Sequence, residues 1–242
     1  NRRGDLLTNL MQADDSRAQM LTDRVMRYGV DLRQAFRVLV VDSGEKRLTP
    51  RQVQHIGSVL DALKVPSIVG TFAGQPVIVT QERVDVEVLV KRMQQQMADV
   101  PLRVGVSGAH RGPLRVALAH DECRDALAIT AALTCEKIAY FDRLGYLYAL
   151  YKAGRGALES SADVPRLKLL LEERNTELFD TLEAYLDAGG NGVATADTLH
   201  IHRSTLNYRL TRIAEILDVD LSQPAVRTNL QVAIKLMRLF NG

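Results

Sequence analysis

Arg203, Ser204, Thr205, Asn207, Tyr208, Arg209 and Arg212 crowd one short stretch of this chain. Guanidinium, hydroxyl, amide and phenol groups bind phosphate oxygens and base edges. Arginine pairs bidentately with guanine, and threonine can meet the methyl of thymine. Between Ile201 and Ala214 there are three arginines and no acid. A helix that only packs against its neighbours more often carries Glu/Lys pairs four residues apart on its outer face. The pattern points to nucleic-acid recognition. It predicts Arg203, Ser204, Thr205, Tyr208 and Arg212 in a groove, with Asn207 and Arg209 on phosphates.

Those side chains need a helix to present them. At ~100° per residue, Leu206, Leu210, Ile213 and Leu217 fall within about 60° of one another, a narrow apolar stripe opposite the polar face. A shorter helix precedes it, with Val193, Ala196 and Leu199 expected inward and Ile201 filling the turn. Gly190 to Leu210 therefore reads as two helices and a tight turn, the arrangement that places a second helix in the major groove. A plain structural helical hairpin is the competing reading of the same pattern.

Composition sets the frame. The chain has 242 residues, 46% hydrophobic and 25% charged, with no Trp and a net charge of +2. These are ordinary globular values, and the length suggests two domains. The low net charge argues weakly against nucleic acid, but its distribution matters more. From Glu177 onward eight acids face six bases, so the positive charge is local to the 203–217 helix. No apolar run is long enough to span a bilayer, and no signal peptide opens the chain. The two cysteines, Cys123 and Cys135, would stand about 18 Å apart on one helix, too far to bridge. A reduced, cytoplasmic protein is expected, with no membrane partner. The chain opens on Asn1, so it is expected to be a fragment or processed product, with an upstream domain a candidate for what is missing.

The periodicity divides the chain. Residues 1–154 read as helices broken near Asp14-Asp15, then strand, helix, two strands around Ala73-Gly74-Gln75-Pro76, helix, strand, long helix, strand and helix. This is an α/β sandwich. Residues 155–164 read as a polar linker. From 165 to 242 the pattern is all helical: 165–174, 177–187, 193–199, 203–217 and 224–240.

Other candidate chemistry is weak. His200 and His202 form a His-x-His pair without supporting acids or cysteines, so no metal site is expected and turn-shaping or a phosphate contact is. His120-Asp121-Glu122-Cys123 are consecutive on a helix and diverge. Gly70 to Gly74 lacks the Lys-Ser/Thr of a phosphate loop. Gly105-Val106-Ser107-Gly108 lacks the spacing of a nucleophile elbow.

Gly190-Asn191, Ala196, Leu199, Ile201, Arg203, Thr205-Leu206 and Leu210 match a Fis-type helix-turn-helix without a gap. With Leu178 to Asp187, His200 to Leu210 and Asp220-Leu221-Ser222, the span from Glu177 to Phe240 resembles the C-terminal domain of PucR/CdaR regulators. That resemblance implies a sequence-specific binder of double-stranded DNA, dimeric or larger, with a small-molecule effector sensed upstream. The preceding β-α-ββ-α-β order resembles the degenerate GGDEF-like domain of the same family. In active cyclases of that type the hairpin carries two acids. Here it reads Ala73-Gly74-Gln75-Pro76-Val77, and Asp42 is left alone at the end of the first strand. One carboxylate does not hold two hard cations and a nucleotide triphosphate. No enzyme activity and no cofactor are therefore expected. The alternatives are a nucleotide or second-messenger receptor built on the α/β domain, and a module whose helices bind protein.

Overall fold

The computed structural model describes residues 2–172 and 176–240. They form two compact units, divided between Tyr148 and Ala149.

The first unit is built on a five-stranded sheet of order β2-β3-β1-β4-β5. Its strands are β1 (Phe36–Asp42), β2 (Ser67–Phe72), β3 (Gln75–Gln81), β4 (Arg103–Val106) and β5 (Ile138–Tyr140). β1 lies at the centre, antiparallel to β3 (Phe36 opposite Gln81) and to β4 (Leu39 opposite Val106). β5 runs parallel to β4, with Val104 beside Ile138, and needs the crossover helix α5 (Val116–Leu133). The β2–β3 turn is tighter than the sequence suggested. Only Ala73 and Gly74 stand outside the strands, with φ of 49° and 81°. Two successive left-handed residues match the twist of a two-residue hairpin. Pro76 is tolerated inside β3 because the β1 ladder stops one residue earlier, at Val40 opposite Val77.

Both faces of the sheet are covered, which explains the unbroken apolar run in β1. On one side α3 (Pro50–Ala62) and α4 (Val86–Gln96) bring Ile56, Leu60, Leu89 and Met93 onto Leu39, Val41 and Ile78. Thr49 caps α3 with a full capping box, and Asp85 caps α4. α1 (Arg2–Met11) packs beside β2, and α5 packs on β1 and β4. α2 (Ala18–Met26) follows α1 across the expected break. Two glycines permit the close approach. A Cβ at Gly70 would come within 2.8 Å of Leu7 on α1. One at Gly105 would overlap the carbonyl oxygen of Cys123 on α5.

The second unit is helical: the end of α6 (Tyr146–Ala153), α7 (Arg155–Ser160), α8 (Asp163–Glu172), α9 (Thr176–Asp187), α10 (Gly192–Leu199), α11 (Arg203–Leu217) and α12 (Pro224–Phe240). Its core gathers Leu158, Leu167, Leu170, Leu182, Ile213, Leu217, Leu230 and Ile234. The residues read as a linker, 155–164, differ from that expectation. They are largely helix, and Leu158 is buried in this core. Gly154, Gly156 and two serines gave the stretch a loop-like composition, but burial of one leucine outweighs weak local propensity. The expected end of a helix at 174 falls on 173–175, outside the described residues. α9 and α12 are also joined by charge. Arg238 lies 2.6 Å from Glu183, and Lys235 lies 2.9 Å from Asp187.

Two stability measurements test this packing. Gly105→Ala should lower unfolding free energy by about 1–3 kcal/mol, the range for forcing a methyl group into a packed core. Denaturant titration reads it directly. His120 lies buried on α5 with its ring edge-on to Phe72, 5.2 Å between centroids. Burial pulls its pKa below the ordinary value, against the weaker opposing pull of Asp121. The unfolded chain then binds a proton that the folded chain resists, so stability falls as pH drops below about 6.5. His120→Gln should give a shallower acid-side decline below about pH 6.5 than the wild type.

Candidate nucleic-acid interface

The interface is built from the end of α9 onward. Gly189 and Gly190 take φ of 66° and 81°, a left-handed stop that alanine would strain. The Gly190 amide returns to the Tyr185 carbonyl at 2.9 Å and the Gly189 amide to Leu186 at 2.9 Å. These bonds satisfy the last carbonyls of the helix. Gly190 also has no room for a side chain, since a Cβ would lie 3.0 Å from Arg227 Nε. Arg227 in turn donates to the carbonyls of Leu221 (2.9 Å) and Ser222 (2.8 Å), which pins the α11–α12 loop.

Asn191 caps α10, accepting from the amides of Val193 (3.0 Å) and Ala194 (3.1 Å). The inward face of α10 is Thr195 and Ala196, both buried, with Leu199 half-buried. Val193 departs from the expectation. It is 55% exposed, because the helix packs with Thr195, Ala196 and Leu199 inward and Val193 stands about 110° from the middle of that face. The Thr195 hydroxyl is satisfied within the helix, donating to the Asn191 carbonyl at 2.7 Å. The small inward side chains of α10 let α11 come close, and Leu206 is fully buried.

The turn between the helices is His200-Ile201-His202. His200 ends α10 in the left-handed region, φ 54°. That conformation costs a non-glycine residue about 1–2 kcal/mol. The Ile201 amide bonds the Ala196 carbonyl at 3.0 Å, and Ile201 is half-buried. His202 caps α11. Its Nδ1 accepts from the Ser204 amide at 3.3 Å and lies 2.8 Å from the Ser204 hydroxyl. Both histidines shape the turn. Among the described residues no three His, Cys, Asp or Glu side chains are placed to hold a metal ion.

α11 buries Leu206, Ile213 and Leu217, with Leu210 half-buried against the same core. On the far side Ser204, Thr205, Tyr208, Thr211 and Arg212 are exposed, Tyr208 at 72%, and Arg203 and Asn207 are exposed along one flank of the stripe. The Ser204 hydroxyl is already engaged by the His202 cap. Arg212 reaches back along its own helix to Glu215, 3.3 Å away. Arg209 stands apart from the rest of the expected set. Its side chain is only 21% exposed and turns toward α9. Nη2 donates to Glu177 Oε2 at 2.8 Å, and Nη1 to Thr181 Oγ1 at 3.2 Å. Position 209 stands about 40° from Ile213 around the helix, at the edge of the buried stripe. Sequence reasoning placed it on the outer flank and missed Glu177 and Thr181, which lie 32 and 28 residues away. Thr181 interrupts the apolar face of α9, and a buried hydroxyl of that kind was the available signal.

In the α/β unit, Asp42 accepts from the Gly44 amide at 3.2 Å and from Gln75 at 3.4 Å. It serves the turn after β1. The guanidinium of Arg47 lies over Gly74, 2.9 Å from where a Cβ would stand. His120, Asp121, Glu122 and Cys123 diverge. Glu122 accepts from the Gly108 amide at 2.9 Å and pairs with His110 at 2.8 Å. The Cys123 thiol donates to the Val38 carbonyl at 3.0 Å, and burial raises its pKa well above the ordinary value.

Residues 178–236 match the PucR C-terminal helix-turn-helix domain, and residues 13–129 match the GGDEF-like domain. The chain is 28% identical to the carbohydrate diacid regulator of Escherichia coli K12 over 254 residues, covering 97% of this chain and 65% of that protein. It is 26% identical to the proline-responsive transcriptional activator PutR of Bacillus subtilis over 192 residues, covering 77% of this chain and 46% of that one. The purine catabolism regulatory protein of B. subtilis is 31% identical over 70 residues, 29% of this chain and 13% of that protein. The chain thus spans less than two thirds of each of these relatives. With a stretch matching the GGDEF-like domain followed by one matching the PucR-type helix-turn-helix, the chain is similar to the PucR/CdaR transcription regulators.

Proposed function

We propose that this chain is the DNA-reading part of a transcription regulator, and that α11 is its recognition helix. The observation that carries this reading is the outward face of α11. Arg203, Thr205, Asn207, Tyr208 and Arg212 stand exposed along a helix whose apolar stripe is buried, with no acid before Glu215. Arg203, Ser204, Thr205, Tyr208 and Arg212 supply the groove contacts, and Asn207 a phosphate contact. Arg209 is withdrawn from the phosphate role by its bonds to α9. Arg212 reaches a base by exchanging Glu215, a surface pair that costs little to break.

One helix of this length reads only a short half-site, so the working unit is a homodimer on a two-fold symmetric operator. The α/β unit serves as a non-catalytic scaffold, because Asp42 is committed to its turn and the hairpin presents no acid beside it. The names of two relatives, a carbohydrate diacid regulator and a proline-responsive activator, support a small-molecule signal controlling this regulator as well. Among the described residues no helix is long and apolar enough to cross a membrane, which suits a regulator working on DNA in the cytoplasm.

An operator is obtained by selecting duplexes from a random-sequence pool with the 242-residue chain. Arg203→Ala, Thr205→Ala and Arg212→Ala should each weaken binding to it by about 1–3 kcal/mol where the side chain reads a base. Unchanged affinity in all three variants would remove α11 from the interface. Sedimentation with and without operator should show two chains on one site. Incubation with GTP should yield no cyclic dinucleotide, and measurable turnover would restore the catalytic reading of the α/β unit.

A further inference from the structure

The apolar stripe of α11 decides which side of the helix is buried, but it fixes the roll of the helix loosely. Aliphatic contact is non-directional. A rotation of about 20° moves a side-chain tip standing about 5–6 Å from the helix axis by about 2 Å. That displacement is enough to carry a donor out of hydrogen-bond range of a base edge. Something directional is needed to set the roll, and the bonds of Arg209 are directional.

Arg209 bonds two groups on the first turns of α9 at once, Glu177 Oε2 at 2.8 Å and Thr181 Oγ1 at 3.2 Å. Thr181 is fully buried, and its hydroxyl donates to the Glu177 carbonyl at 2.6 Å. The hydroxyl is thereby oriented to accept from the guanidinium. The result is a closed ring: Arg209 to the Glu177 carboxylate, Arg209 to Thr181, and Thr181 to the Glu177 backbone. A planar fork bonded at two points resists rotation in a way that a lysine ammonium does not. Glu177 is 70% exposed on its side chain, so the pair adds little to global stability. Its consequence is geometric.

We propose that Arg209 is a positioning residue, clamped by Glu177 and Thr181, that sets the roll of α11 and hence the alignment of Arg203, Thr205, Tyr208 and Arg212 with base edges. This rests on the DNA-reading role of α11 given above. It predicts an effect opposite to simple electrostatics. Removing the acid Glu177 near a polyanion should strengthen binding if charge alone mattered. Under the clamp, Glu177→Gln weakens binding to the selected operator instead.

The test measures the Kd of the 242-residue chain for the selected operator and for a scrambled duplex of equal length, across a salt series. Arg209→Gln and Glu177→Gln should each lower the operator-to-scrambled preference by about tenfold, the loss of one charge-assisted hydrogen bond. The slope of log Kd against log salt should stay at its wild-type value, and the two effects should not add in the double variant. Arg209→Lys, which keeps the charge and the fold but loses the fork, should also lose the preference. If Arg209 contacts a phosphate, Arg209→Gln lowers the slope by ~0.9. Arg209→Lys then keeps the preference and Glu177→Gln tightens binding, which overturns the clamp. Unchanged preference in all variants overturns it as well. A wild-type chain with no operator preference overturns the DNA reading, and the clamp with it.

Discussion

Burial of the stripe Leu206, Leu210, Ile213 and Leu217 is the constraint on which the second unit depends. Each fully buried aliphatic side chain is worth about 1.5–3 kcal/mol. Together they hold α11 against α8, α9 and α12, and the polar groups of its other face are left to solvent by geometry. Everything around this stripe serves it. The left-handed residues Gly189 and Gly190 stop α9 early enough for α10 to turn back. Thr195 and Ala196 are small enough for α11 to lie close. Arg227 holds the loop that returns the chain as α12. Hydrogen bonds then refine what the apolar contact leaves loose.

The α/β unit follows another rule. Its sheet is covered on both faces, so the middles of its strands are apolar and leave little room for polar chemistry inside. Several of the polar groups it buries are partnered to its own backbone. Cys123 bonds the Val38 carbonyl, Ser107 bonds the Val38 amide, and Glu122 holds the Gly108 amide. Groups satisfied in this way rigidify a scaffold. Asp42 belongs with them, since its carboxylate closes a turn and meets the hairpin through Gln75. The acids that would turn this architecture toward nucleotide chemistry are missing from the hairpin.

Most of the element order was legible because the periodicity is strong. α11 was read with its observed ends, since its leucine stripe marks it clearly. The β2–β3 hairpin was legible from Ala73-Gly74, although Pro76 hid two strand residues. What sequence could not give were phases and partners set across space. Val193 matched an inward position until the packing of Thr195, Ala196 and Leu199 fixed the inward face of α10. Residues 155–160 looked like linker because their small polar residues outnumber Leu158, whose burial depends on α12. Arg209 looked solvent-facing because its partners lie a helix and a turn away. In each case a tertiary contact outweighed a local preference.

Arg209 also changes how the local basicity is understood. Counting charges along the chain gives α11 three arginines, which suggests three cations offered to a polyanion. In the fold, Arg209 is neutralised by Glu177, and Arg212 leans on Glu215. The pairs differ in kind. Arg212 and Glu215 are adjacent turns of one exposed helix, and water can replace their contact at little cost. Arg209 also bonds a buried hydroxyl, so breaking its contacts leaves Thr181 without its donor. The charge offered to a partner is therefore smaller than the sequence count. On the reading proposed above, such a surface gains modest non-specific attraction and relies on Arg203, Thr205, Tyr208 and Arg212 for discrimination. That balance favours specificity over raw affinity.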